Sequence, residues 1–165
     1  MTAPLVHGLP PIVGKGAHTL IVGNMLSVMS VASGQYYGNP RNAFWRITGE
    51  LFGFAADDPY DDRTAALVAN GIAVWDALKS CRRAGSLDSA VEPDSMVPND
   101  FGTLFNAHPG IRRVFFNGAA AEKNFARFVG LAPGTSYRRL PSTSPAHTMR
   151  YEDKLTAWRD AMTAH

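Results

Sequence analysis

Leu20-Ile21-Val22-Gly23-Asn24-Met25-Leu26-Ser27 is where the fold first becomes legible. Its aliphatic residues run on without polar alternation and then meet a glycine. A strand half in water would alternate; an uninterrupted run marks one buried on both faces, as in a parallel sheet covered by helices. The glycine turn that follows exposes backbone N–H groups, which suit an anion or a carbonyl oxygen. A strand followed by Gly-Asn is common, so this turn alone marks no site.

Similar runs recur along the chain. Residues 18–23, 72–75, 113–118 and 137–140 read as strands, the first three compact and the fourth more polar and nearer an edge. Between them, apolar residues fall at three- and four-residue spacing: Phe44, Ile47 and Leu51, then Ala121, Phe125, Phe128 and Val129. A last helix is expected over 150–162, with Leu155, Trp158 and Met162 on one stripe. Strands alternating with helices predict an α/β sandwich around a mainly parallel four-stranded sheet. Ligands of such sheets bind beyond the carboxyl ends of the strands, here residues 23–30, Asp76 onward, Asn117-Gly118 and 141–148. Residues 85–100, rich in Ser, Asp and Pro, read as a long irregular connection.

At 165 residues and 45% apolar content, the chain is expected to form one domain over 1–165, with neither repeat nor second domain. Apolar runs such as 19–22 and 114–116 are too short to cross a bilayer, and residues 1–11 lack the pattern of a signal peptide. Cys81, the single cysteine, excludes an internal disulfide and a cysteine-held metal cluster. A soluble cytoplasmic monomer without metal or cofactor is expected. The net charge of +2 permits nucleic-acid binding without marking it. The arginine pairs 82–83, 112–113 and 138–139 read as scattered surface charge. No Gly-x-x-x-x-Gly-Lys loop is present, which argues against a nucleotide-binding α/β protein.

Gln35-Tyr36-Tyr37-Gly38-Asn39-Pro40-Arg41-Asn42-Ala43-Phe44-Trp45 is the densest chemical segment. Asn39-Pro40 predicts a helix start, with Asn39 as cap and Pro40 at the first helical position. Asn42 would then fall in the first turn, near the site end of the sheet, with Phe44 and Trp45 turned to the core. A capped amphipathic helix after an aromatic loop explains these residues as well as a functional site does.

The segment from Gln35, continued by Arg46-Ile47-Thr48-Gly49-Glu50-Leu51-Phe52-Gly53, resembles the first signature of the hypoxanthine-DNA glycosylase branch of the uracil-DNA glycosylase superfamily. Other segments resemble it in family order, among them Gly71-Ile72-Ala73-Val74-Trp75-Asp76, Ser86-Leu87-Asp88, His108-Pro109-Gly110 and Leu140-Pro141-Ser142-Thr143-Ser144-Pro145. The resemblance implies a three-layer α/β/α sandwich and a monofunctional enzyme that flips a deaminated base from DNA and hydrolyses its glycosidic bond. The base would be hypoxanthine, with uracil or xanthine as further candidates. A uracil or mismatch glycosylase, or a catalytically weak lesion-binding protein, stands as the alternative. No lysine is marked as a nucleophile, so strand cleavage is not expected.

By that resemblance Asn42 is the catalytic residue, orienting water towards the sugar carbon, and Tyr37 is the ring that stacks on the extruded base. Asp76, facing the base edge, would accept from its N–H groups if ionised, or else serve as a cap or loop ion pair. Tyr36 reads as wall or core. Gly23, Asn24, Met25 and Asn117 complete the expected base pocket, and the amides of 23–27 are candidate donors to the departing base. Asn39, Arg41, Ser142, Thr143, Ser144, Pro145 and His147 are expected on the DNA, the hydroxyls meeting phosphates. Two places depart from the family pattern. The first turn reads Gly23-Asn24-Met25-Leu26-Ser27 where Gly-Ser-aromatic or Met-Pro-Gly is usual, and His147 stands where relatives carry asparagine. These changes bear on substrate range and rate more than on fold.

Overall fold

A computed structural model describes residues 3–163. The chain begins with β1 (Leu5–His7), β2 (Thr19–Gly23), α1 (Val28–Ser33), α2 (Phe44–Phe52) and α3 (Tyr60–Ala69). It continues through β3 (Ile72–Asp76), β4 (Leu78–Arg82), β5 (Val97–Pro98), α4 (Phe101–Ala107) and β6 (Arg113–Asn117). The last elements are α5 (Ala119–Phe128), β7 (Ser136–Leu140) and α6 (Tyr151–Thr163).

The main sheet has four strands in the order β3-β2-β6-β7, all parallel, with the more polar β7 at an edge. Successive side chains along each strand serve opposite layers. Ile21, Ile72, Val74 and Phe115 pack with Phe44, Trp45, Ile47, Leu67 and Trp158 of α2, α3 and α6. Leu20, Val22, Ala73, Val114 and Phe116 pack with Phe101 and Leu104 of α4 and Ala121 and Phe125 of α5. This is the expected α/β/α sandwich. Complete burial of side chains such as Ile21, Phe44 and Trp158 stabilises it by about 1.5–3 kcal/mol for each. No helix among the described residues is long and apolar enough to cross a membrane.

Two expectations need correction. Residues 85–100 are not plain irregular chain: they hold two 3-10 turns, Asp88–Ala90 and Pro93–Ser95, and then β5. With β1 and β4, β5 forms a small antiparallel sheet in the order β1-β4-β5. The second correction concerns the helix start. Asn39 Oδ1 accepts from Arg41 N at 2.9 Å and Asn42 Oδ1 from Phe44 N at 2.9 Å. Two side-chain turns in succession hold residues 39–42 out of the helix, which begins only at Phe44. Asn42 therefore lies before the helix, not in its first turn.

Indole N–H groups fasten the loops at the site end to this frame. Trp45 Nε1 donates to Tyr36 O at 2.8 Å, and Trp158 Nε1 donates to Pro141 O at 2.9 Å. Each buried ring thus carries apolar packing and an anchor for one site loop.

Candidate active site

The central strands β2 and β6 lie side by side, while the chain leaves β2 towards β3 and reaches β7 beyond β6. That reversal opens a crevice at their carboxyl ends. A cavity of about 90 Å³ lies there, lined by Gly23, Asn24 and Met25 after β2, Asp76 ending β3, Asn117 ending β6, and Ser142, Thr143 and Ser144 after β7. Tyr37, Asn39 and Asn42 close another side. The N–H groups of Met25, Leu26 and Ser27 donate to no acceptor among the described residues.

Gly23 is required by close approach. A methyl carbon there would overlap Asp76 Oδ1 and stand 2.8 Å from Tyr37 Oη. Asp76 is 3% exposed, and its Oδ2 has no hydrogen-bond partner among the described residues. Burial raises its pKa from 3.8 to about 7; the nearby Asp88 adds to the rise and Arg83 opposes it. Arg83 is itself buried and turned aside, its Nε and Nη2 donating to Gly85 O and Leu26 O.

Asn24 is held at both ends. Its Oδ1 accepts from Asn124 Nδ2 at 2.7 Å and its Nδ2 donates to Asp88 Oδ1 at 2.9 Å. The side chain is a brace between α5 and the Asp88 turn, although Asn24 does line the cavity.

Tyr37 is the one non-glycine residue with positive φ, +53°, among the described residues. Such a backbone costs about 1–3 kcal/mol and persists only where its surroundings enforce it. Here one face of the ring stacks on Phe44 with centroids 3.9 Å apart, and the hydroxyl accepts from Asn117 Nδ2 at 3.2 Å. Asn117 also donates to Thr143 Oγ1 at 2.9 Å and accepts from Thr143 N at 2.9 Å. Thr143 is 1% exposed and its carbonyl accepts from Ala43 N. Its expected place on a phosphate is corrected: the side chain ties the loop to β6. Tyr36 is buried, as expected of a core residue, and its hydroxyl reaches Leu9 O and Pro10 O.

Asn42 is half-buried and stands at a junction. With Tyr37, Asn39 and Thr143 it lines both the cavity and a larger groove of about 590 Å³. The Phe44 N–H fixes the rotation of its amide, and Nδ2 has no partner among the described residues. The groove carries Arg41, Arg46, Arg63, His147 and Lys154 against a single acid, Asp57. Among the described residues none of Arg41, Arg46, Arg63 and Lys154 pairs with a carboxylate. Arg46 lies over Tyr151 at 3.6 Å and Arg63 over Trp45 at 4.7 Å. Lys154 is 4% exposed, its Nζ donates to Ser144 O at 3.1 Å, and burial lowers its pKa. Arg41, Pro145 and His147 are exposed on the rim. Ser142 and Ser144 bond within their own loop, accepting from Ser144 N and Ala146 N. No cluster of His, Cys, Asp or Glu among the described residues fits a metal ion.

Comparison with known proteins decides the family. The chain is 33% identical to a hypoxanthine DNA glycosylase of Methanosarcina acetivorans over 153 residues, covering 92% of this chain and 94% of that protein. The chain belongs to the hypoxanthine-DNA glycosylase branch of the uracil-DNA glycosylase superfamily. A second hypoxanthine DNA glycosylase, from Methanosarcina barkeri, is 30% identical over 158 residues, covering 94% of this chain and 96% of that protein. A solution NMR structure from M. acetivorans, of a protein provisionally assigned as a uracil DNA glycosylase, superimposes with a TM-score of 0.81 at 32% identity. That match covers 95% of this chain and 96% of the other. No family model matches the chain.

Within this hypoxanthine-DNA glycosylase relative, sequence reasoning missed Asp88, Asn124 and Lys154. Asn124 and Lys154 each carried a signal. Asn124 lies three residues after Ala121, and Lys154 three after Tyr151 and four before Trp158, so helical spacing places both on buried stripes.

Proposed function

We propose that the protein is a monofunctional DNA glycosylase that excises hypoxanthine, and with it uracil or xanthine, from damaged DNA and leaves an abasic site. The observation that carries this reading is the place of Asn42, between an enclosed polar cavity and a groove whose arginines and lysine pair with no carboxylate among the described residues. A base turned into the cavity puts its sugar beside Asn42 and its flanking phosphates in the groove. The groove cations then neutralise the backbone.

As the bond to the sugar stretches, the sugar gains oxocarbenium character and the base gains electron density. Water needs little deprotonation to add to such a centre. Asn42 Oδ1, already fixed by Phe44 N–H, has a second lone pair for a water hydrogen and directs the water oxygen at the sugar carbon. The free amides of residues 25–27 face the charge developing on the base. Tyr37, braced from behind by Phe44, offers a flat surface that admits several planar bases. Asn24 acts through Asp88 and Asn124 instead of on the water. The enzyme acts as a monomer in the cytoplasm.

Duplexes carrying one hypoxanthine, uracil, xanthine or mismatched thymine, treated with protein in chelator and then with alkali, test the reading. Alkali-labile sites at hypoxanthine are expected, with no strand break before alkali. Tight binding to the lesion without any product would mark a lesion-binding protein and defeat it.

A further inference from the structure

The carboxyl of Asp76 has a peculiar setting for a group expected to accept hydrogen bonds as an anion. It lines the cavity, it is almost wholly buried, and Oδ2 has no donor among the described residues. The side chains that face it are unsuited to holding a negative charge. Tyr36 and Tyr37 approach from the loop before α2, and the hydroxyl of Tyr36 is directed at backbone carbonyls. Asp88, pinned by Asn24, adds a like charge from the 3-10 turn. Arg83, after β4, is the one cation acting on it among the described residues, and its bonded nitrogens point to Gly85 O and Leu26 O. An ionised Asp76 would thus sit buried in a cavity that the Asp88 carboxylate also lines, without a hydrogen-bonded cation among the described residues, an arrangement that favours the neutral acid. A base filling the cavity displaces water and strengthens that preference.

We propose that Asp76 enters the reaction as the neutral acid and gives its proton to N7 or O6 of the leaving purine, so that hypoxanthine departs uncharged. The proposal rests on the glycosylase reading above and changes the part played by Asp76 within it. The C1′–N9 bond breaks and its electron pair stays with the base; the Asp76 O–H proton passes to the base; a water oxygen bonds to C1′. The water's surplus proton goes to solvent, and Asp76 regains one from solvent before the next turnover. Asn42 is an amide and does not titrate in this range, so the pH dependence of the chemical step belongs to Asp76. A buried carboxyl held near neutrality, with a pKa of about 7, meets the requirement of a general acid working at ordinary pH.

Single-turnover release of hypoxanthine at saturating protein, from about pH 5 to about pH 9, reads this directly. The wild-type rate is expected to be level on the acid side and to fall about tenfold per pH unit above the Asp76 midpoint. Asp76→Asn is expected to be about 10²–10⁴-fold slower on the acid side, with a level profile. A wild-type rate that rises through neutrality would overturn the proposal, because an ionised Asp76 would then be the working form. So would an Asp76→Asn profile that keeps the wild-type slope. Carbon NMR titration of the Asp76 carboxyl in the wild-type protein gives a readout independent of activity and of any variant's folding. A midpoint near 7 is expected; one in the ordinary aspartate range overturns the proposal. Absence of hypoxanthine release at every pH would defeat the glycosylase reading and this proposal together, whereas release with the wrong slope defeats this proposal alone.

Discussion

Replacing Asp76 by asparagine should make the protein more stable above neutral pH, although the residue lines the cavity. Its folded pKa of about 7 lies above the ordinary aspartate value of 3.8. Between those values the native state holds a proton that the unfolded chain has lost, so stability falls as pH rises. The penalty is absent below 3.8 and complete above about 7. At about 1.4 kcal/mol per pH unit, it reaches roughly 4 kcal/mol on the alkaline side. Asparagine escapes it but brings a buried N–H pair, a cost of about 1–3 kcal/mol where no acceptor is found. That cost is the same at every pH and cancels when two pH values are compared. Urea unfolding of both proteins at about pH 5 and about pH 8 should show the stability of Asp76→Asn, relative to wild type, improving by roughly 2–3 kcal/mol. A change under about 0.5 kcal/mol, or one of opposite sign, would refute a buried carboxyl that ionises with difficulty.

Further substitutions probe the rest of the site. Gly23→Ala should lower excision by at least about a hundredfold in single turnover, as the new methyl displaces Asp76 and Tyr37. Thr143→Val removes the Oγ1 that accepts from Asn117 and should cost about 1–3 kcal/mol in urea unfolding. Arg41→Ala, at the exposed rim of the groove, should weaken binding to duplexes of any sequence, and the slope of log affinity against log salt should shrink by about one.

The strand runs, the helical stripes and the family resemblance made the α/β/α frame legible, because burial on both sheet faces leaves an uninterrupted apolar run. The small antiparallel sheet was hidden. Its strands join distant parts of the chain, as in the pairing of Val6 with Cys81, and β5 contains a proline. The Asn39-Pro40 helix start was misplaced because a side-chain turn uses the same residue types as a helix cap. At the site, Tyr37, Asp76, Asn117 and Asn42 do converge on one cavity. No spacing rule could reveal that Asn24 is held by Asn124 from α5, or that Thr143 faces inward, since both depend on packing across the sheet.

The decisive comparison is wild type against Asn42→Ala on a hypoxanthine duplex, with single-turnover release and affinity measured on the same preparation. Release should fall at least about a hundredfold while affinity changes by less than about threefold, the signature of an interaction made only in the transition state. Release that survives Asn42→Ala within about threefold would contradict an Asn42-directed hydrolysis.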